Sequence, residues 1–155
     1  MSIQQEIKQT RPFHSKAQEA ALGLMRTADL VRREVTKVVE PHGITIQQYN
    51  VLRILRGAGE NGLPTLEIAE RMIEEAPGIT RLIDRLEGKK LVKRERCKKD
   101  RRRVWCQITK DGLAVLEKLD TPVREAERAL GSLSSTELTQ LVALLDRARS
   151  GFQTT

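Results

Sequence analysis

Five cations in six residues, Lys98-Lys-Asp-Arg-Arg-Arg103, lie in the middle of the chain. Side chains of this kind, packed this closely, bind polyanions. Blocks of like charge usually belong to disordered tails. This one runs directly into Val104-Trp-Cys-Gln-Ile108, which alternates like a strand with Val104, Cys106 and Ile108 on one face. Between Lys89 and Arg103 ten basic residues stand against two acidic ones, Glu95 and Asp100, a local excess of +8. The whole chain carries +7, so the remaining 140 residues come to −1. The basicity is local, and it favours a polyanionic partner at one place. Just upstream, the segment 77–88 has Ile79, Leu82, Ile83 and Leu86 at helical spacing. Its opposite face carries Thr80, Arg81, Asp84 and Arg85.

Other chemistries find little support. The two histidines, His14 and His42, and the two cysteines, Cys97 and Cys106, reach no recognised zinc spacing. No nucleophile motif, glycine-rich phosphate loop or acid–base pair stands out, so the chain reads as a binder rather than an enzyme, with no metal and no cofactor. The apolar runs are too short to span a bilayer and no signal-peptide core opens the chain, so no membrane association is expected. Two cysteines make no disulfide framework, and a reduced, cytoplasmic setting is the default.

These residues need elements to hold them. Aromatics are only 3% of the chain, so the core must be Leu, Ile, Val and Ala, which favours packed helices. From Phe13 to Glu40 a seam of Ala17, Ala21, Leu24, Ala28, Val31, Val35 and Val38 predicts one long helix, ended by Pro41 and Gly43. At 1.5 Å per residue it would run about 40 Å, more than a small domain can cover, so part of the seam should meet a second chain. Thr45 and Gln48 form a capping-box pattern that opens the next helix, with Ile46, Tyr49, Leu52 and Leu55 as core positions. GAGENGLP (57–64) closes it. A short helix from Thr65 is expected to turn Leu66, Ala69, Met72 and Ile73 inward. Pro77 suits the first turn of the helix 77–88. Leu91–Cys97 and Val104–Ile108 read as a two-stranded ribbon, in a symmetric register that pairs Cys97 with Val104 and Cys106 with Glu95. Thr109 or Asp111 caps a helix to about Gly131. Ser134 and Glu137 open a last one with Leu138, Leu141, Val142, Leu145 and Ala148 as its stripe.

The order helix, short helix, turn, helix, ribbon has the proportions of a helix-turn-helix followed by a wing, in which the later helix enters the major groove of double-stranded DNA. The stretches GLPTLEIAERM and GITRLIDRLEGKKLVKRERCKKDRRRVWCQITKDG resemble the winged helix-turn-helix of the MarR family of bacterial transcriptional regulators. The matching residues are Arg81–Glu87, Leu91–Arg94, Asp100–Arg102 and Thr109–Gly112. The resemblance implies a mainly α fold with a small β-ribbon. It would be a single unit over 13–152, with a DNA-binding region at 45–110. Helical segments at 13–42 and 111–152 would intertwine two protomers. Two departures stand out. Lys90 takes the place where many relatives have glycine, and Pro77-Gly78 occupies a helix start that is often small and polar in relatives, which shifts base reading to Thr80, Arg81 and Arg85.

Each role has a plainer alternative. Arg81 can donate two hydrogen bonds to guanine, worth about 1–3 kcal/mol of discrimination; the alternatives are a phosphate contact or an ion pair with Asp84 or Glu87. Thr80 can meet a thymine methyl or a phosphate. Arg85 can read DNA or brace the wing through an acidic neighbour, and Asp84 suits the orienting of an arginine. Arg102 fits a narrow minor groove, whose negative potential attracts arginine. Lys98, Lys99, Arg101 and Arg103 suit phosphates, against the alternative of a solvated turn. Trp105 is read as packing beneath the wing rather than as a base-stacking platform. By resemblance, Asp100 holds the wing tip through an arginine.

The expected function is that of a sequence-specific regulator of transcription, a homodimer repressing from a pseudo-palindromic operator. The resemblance also implies a small aromatic or phenolic effector bound where the dimerisation helices meet the reading region, with Phe13, His14, Met25 and Tyr49 as conceivable lining. Two rivals remain: a non-specific nucleic-acid binder, which the scarcity of aromatics disfavours, and an interaction adaptor that keeps the fold without binding DNA.

Overall fold

The computed structural model describes residues 1–153. A short helix α1 (Ile3–Glu6) precedes the long α2 (Lys16–Val39), which Ser15 caps by accepting from the Gln18 N–H at 3.1 Å. A single 3-10 turn, Glu40–His42, extends α2 to Gly43, whose φ of +78° closes it. The Thr45–Gln48 capping box opens α3 (Ile46–Ala58) as expected. After a second 3-10 turn come β1 (Leu63–Pro64), α4 (Thr65–Glu70) and α5 (Ile79–Gly88). Strands β2 (Val92–Arg96) and β3 (Val104–Ile108) follow. Thr109 then caps α6 (Lys110–Glu127), and the Ser134–Glu137 box opens α7 (Ser135–Phe152). Mainly helical, with a small antiparallel sheet, this is the expected class of fold.

One core joins the reading region to α6. Leu52 and Leu55 of α3, Ile68 of α4, Ile83 and Leu86 of α5, Val92 and Cys106 of the sheet, and Leu116 and Leu119 of α6 are fully buried. The seam of α2 is different. Only its end is buried, at Val35 and Val39, while Leu24, Met25 and Leu30 lie 48%, 68% and 44% exposed. Helix α7 buries nothing: Leu138, Leu141 and Leu145 are half-buried, and Val142 and Leu144 are each 58% exposed. Apolar faces of this length left open on two helices fit the expectation that a second chain covers them.

Four local expectations need correction. The sheet has three strands, in the order β1-β3-β2, not two. Two residues, Leu63 and Pro64, make the extra one opposite Cys106 and Trp105, too short to show any alternation. Helix α5 starts at Ile79, so Pro77 lies before it in the turn, and Gly78 stands at the N-cap. In α4 the buried residue is Ile68, with Ala69 and Met72 half-buried, whereas Leu66 and Ile73 are 76% and 81% exposed. Leu66 lies two residues, about 200°, around the helix from Ile68, and Ile73 falls beyond the helix end. Finally, the ribbon is offset by one residue: Arg96 faces Val104, Glu95 faces Trp105 and Arg94 faces Cys106.

Lys90 shows how the end of α5 is built. Its N–H bonds the Glu87 carbonyl at 2.9 Å and the Leu91 N–H bonds the Leu86 carbonyl at 3.0 Å, the paired arrangement that closes a helix through a left-handed residue. That residue is Lys90, at φ +61°. A Cβ in this region costs about 1–2 kcal/mol, against about 0.5–1 kcal/mol for the greater freedom of glycine in the unfolded chain. Lys90→Gly is therefore expected to stabilise the protein by about 0.5–1 kcal/mol, seen as a rise in denaturation midpoint; a fall would show that the lysine side chain contributes more than the strain removes.

Candidate nucleic-acid interface

Helix α5 presents two faces. Ile79, Ile83 and Leu86 are buried against the core, and Thr80, Arg81, Asp84 and Arg85 are exposed. Arg81 and Arg85, with Gln47 of α3, line a groove of about 280 Å³ beside Pro77 and Gly78. Among the described residues neither arginine forms an ion pair, although carboxylates stand on the same helix. Those carboxylates, Asp84 and Glu87, are engaged by another cation. Arg94 of β2 reaches Asp84 at 2.7 Å, and it meets Glu87 in a two-pronged contact, Nη2 to Oε1 at 3.0 Å and Nε to Oε2 at 3.2 Å. Its own N–H also donates to Glu87 at 3.1 Å.

Arg94, not Arg85, is thus the brace between wing and helix. The sequence reading missed it because of the register. Directly opposed residues of an antiparallel pair share a face, and a slip of one residue exchanges faces. The expected register put Glu95 opposite Cys106; the observed one puts Arg94 there, on the interior side, next to α5. Asp84 takes the arginine-orienting role expected of it. The mutual contact shifts both titrations. The guanidinium holds the Glu87 carboxyl below the usual range, and the Arg94 guanidinium is held well above its own ordinary value.

The wing loop is ordered by its own backbone. The Cys97 N–H donates to the Arg103 carbonyl at 2.9 Å and the Arg103 N–H to the Asp100 carbonyl at 3.0 Å. Asp100 accepts the Arg102 N–H on Oδ1 at 3.0 Å, a carboxylate-closed turn. Its nearest guanidinium, that of Arg103, is 4.0 Å away between well-exposed groups. Asp100 therefore shapes the tip through a main-chain N–H more than through an arginine side chain. The backbone N–H groups of Asp100 and Lys99 facing the Cys97 sulfur lower its thiol pKa, whereas burial raises that of Cys106; both cysteines are free. Lys98, Lys99, Arg101, Arg102 and Arg103 are all exposed. Trp105 is half-buried on the other face of β3, between Glu95 and Pro64 in register.

Not every cation of the basic stretch faces outward. Lys89, at the C-cap of α5, donates to the Gly43 carbonyl and to Gln48 Oε1, the latter at 3.2 Å. It borders a second groove, of about 500 Å³, lined by Glu40, Gly43, Ile44, Thr45, Gln48, Arg85 and Lys89. The four residues expected to line an effector site are spread apart. Phe13 is half-buried ahead of α2, His14 and Met25 are exposed, and Tyr49 is buried in α3 with the Arg53 guanidinium 5.9 Å from its ring centre. Neither groove is lined by any of them.

The depressed pKa of Glu87 fixes a sign. Its contribution to stability is full above the ordinary glutamate value of 4.5 and is lost as pH falls through the lower folded value. The difference in melting temperature between the parent protein and Glu87→Gln is expected to be constant near neutrality and to shrink below that value. A difference that persists unchanged into acid would show that ionisation of Glu87 has no part in the brace.

Comparison with known proteins places this geometry. The family model described as MarR family matches residues 44–104. A MarR transcription factor from Planctomyces limnophilus is 43% identical and superposes with a TM-score of 0.67, over 87% of this chain and 98% of that one. The S. aureus MepR–DNA complex superposes with a TM-score of 0.75 at 28% identity, over 85% of this chain and 96% of that one. The homoprotocatechuate degradative operon repressor of Escherichia coli is 28% identical over 132 residues, 84% of this chain and 81% of the repressor. A free pair of arginines on a helix, a cationic wing braced to it, and likeness to a solved relative along most of both chains lead to one assignment: this chain belongs to the MarR family of transcriptional regulators.

Proposed function

We propose that the protein is a double-stranded DNA-binding repressor that acts as a homodimer on a pseudo-palindromic operator. The observation that carries this reading is the state of Arg81 and Arg85. They stand exposed on α5 without ion pairs among the described residues, while Arg94 engages Asp84 and Glu87, the carboxylates of their own helix. Arginines kept clear of intramolecular partners are available for base edges and phosphates. A relative of like fold is known as a DNA complex, and another by name as an operon repressor. In this reading Thr80, Arg81 and Arg85 serve the major groove and Arg102 the minor groove. Lys98, Lys99, Arg101 and Arg103 serve phosphates, Asp100 shapes the wing, and the open faces of α2 and α7 pair two protomers. The role is that of a binder, not an enzyme, and its place of action is the cytoplasm.

Selecting duplexes from a random pool tests it. One family of related, two-fold sites should emerge. If the dimer neutralises about six to eight phosphates, log K should fall against log salt with a slope of about −5 to −7. Arg102→Ala should weaken operator binding by about tenfold, within the usual 1–3 kcal/mol of a specific contact, with helicity and dimer unchanged. A slope near zero, or full operator affinity in Arg102→Ala, would remove the wing from the mechanism.

The effector belongs to the same proposal. A small aromatic or phenolic acid is supported by the name of the E. coli relative, tied to homoprotocatechuate degradation, and by Tyr49 and Arg53 side by side on α3. Phe13, His14 and Met25 of the N-terminal segment would complete the lining in the dimer. A panel of aromatic acids should contain members that raise the melting temperature and weaken operator binding; a panel with neither effect would overturn this chemical class.

A further inference from the structure

Two polar contacts outside the basic wing flank the reading helix α5, one from the turn before it to α2 and one from its end to the junction of α2 and α3. Before it, Glu74 in the turn after α4 meets Arg32, in the second half of α2, at 2.6 Å. After it, the Lys89 ammonium reaches back to the junction of α2 and α3, to the carbonyl of the left-handed Gly43 and to Gln48. Gln48 is 2% exposed, the only buried polar side chain of the described core. Its Oε1 accepts from both Lys89 and the Thr45 N–H, so one oxygen holds the start of α3 and the end of α5 together.

We propose that these two latches, Arg32–Glu74 and Lys89–Gln48/Gly43, set the separation of the paired recognition helices and so select the half-site spacing that the dimer accepts. A ten-residue helix is about 15 Å long. Freedom at either end swings the reading residues relative to α2, and the two-fold axis applies the same swing in the partner with opposite sense. The Arg32–Glu74 pair is nearly half exposed on both sides, 48% and 46%, so its contribution to stability is small. Its geometric effect is larger, because it ties to α2 the turn that leads into the Thr80 and Arg81 end of α5. The core under α5 fixes depth and face, through Ile79, Ile83 and Leu86 on one side of the helix. The latches act at its ends, where tilt is decided. This inference rests on the reading of the protein as a dimeric operator binder.

The test uses the full-length dimer and three duplexes: the site selected from a random pool by the parent protein, the same site with one base pair added between half-sites, and a single half-site. The parent should prefer the selected spacing by about tenfold or more. Lys89→Met and Arg32→Ala should each narrow that preference to about threefold or less while half-site affinity stays within about twofold of the parent. The charge exchange Arg32→Glu with Glu74→Arg should restore the preference. Unchanged spacing preference in both variants overturns the proposal, and so does a loss equal on all three duplexes, which would mark a general structural role. An exchange variant as permissive as Arg32→Ala overturns the role of that ion pair. Should Lys89→Met fail to fold, the surface variant Arg32→Ala carries the same comparison. Failure of the parent to select any site strikes instead at the operator-binding reading.

Discussion

The grip of Arg94 on Asp84 and Glu87 is the interaction on which the reading surface depends. A ribbon of two five-residue strands and a two-residue edge has little apolar area of its own, and an isolated hairpin is marginal in water. Beyond the buried Val92 and Cys106, what ties it to α5 is a planar guanidinium that meets two carboxylates of that helix, a geometry that lysine could not reproduce. The same contact settles the electrostatics of α5. Arg94 engages the two carboxylates that share α5 with Arg81 and Arg85, and among the described residues these two arginines form no ion pair. One residue thus ties the wing to the helix and draws both of the helix's carboxylates to one side.

The basic stretch divides into charges that build and charges that bind. Lys89 and Arg94 are consumed internally, and Lys93 lies 3.6 Å from Glu95. The loop cations from Lys98 to Arg103 remain outward, held close together by the Asp100 turn. Counting charge along the sequence found the place but not this division. Like charges at such spacing repel one another, and the repulsion is relieved when a polyanion replaces diffuse counterions.

Most of the helices were legible because local signals and the apolar period agreed, as in the boxes at Thr45–Gln48 and Ser134–Glu137 and the buried face of α5 at Ile79, Ile83 and Leu86. The cationic loop and the strand Val104–Ile108 were legible for the same reason. The failures share a cause as well. Strand β1 is defined only by its partner β3; the side of the sheet that Arg94 takes depends on a one-residue offset imposed by the wing loop; and Ile73 sits in a turn that apolar spacing treats as helix. In each case the deciding contact is distant in sequence. Arg85, which has the right chemistry on the right helix, was open to either DNA reading or bracing, and the residue with the geometry of a brace is Arg94, on the strand.

The expected boundary between reading region and dimerisation region, at 110, is not a mechanical one. Thr109 caps α6 through its hydroxyl while the same hydroxyl donates to the Lys90 carbonyl at 2.7 Å, and its N–H bonds the Leu91 carbonyl at 3.0 Å. Gly112, in the first turn of α6, lies so close that a Cβ there would stand 2.4 Å from the Leu91 oxygen. The end of α5, the start of β2 and the start of α6 are thus joined in one dense knot of main-chain contacts with no room for a hinge. Leu116 and Leu119 continue the attachment into the core. Any change of angle between the reading unit and the dimer must then arise elsewhere. Besides the Arg32–Glu74 contact, the connection to α2 runs through the Glu40–His42 turn and Gly43, where the chain changes direction between α2 and α3 and where Lys89 from the end of α5 comes to rest. The chain's turn between α2 and α3 and the Lys89 ammonium from the end of α5 thus meet at one carbonyl, that of Gly43, so a change of angle at this turn is felt directly at the end of the reading helix.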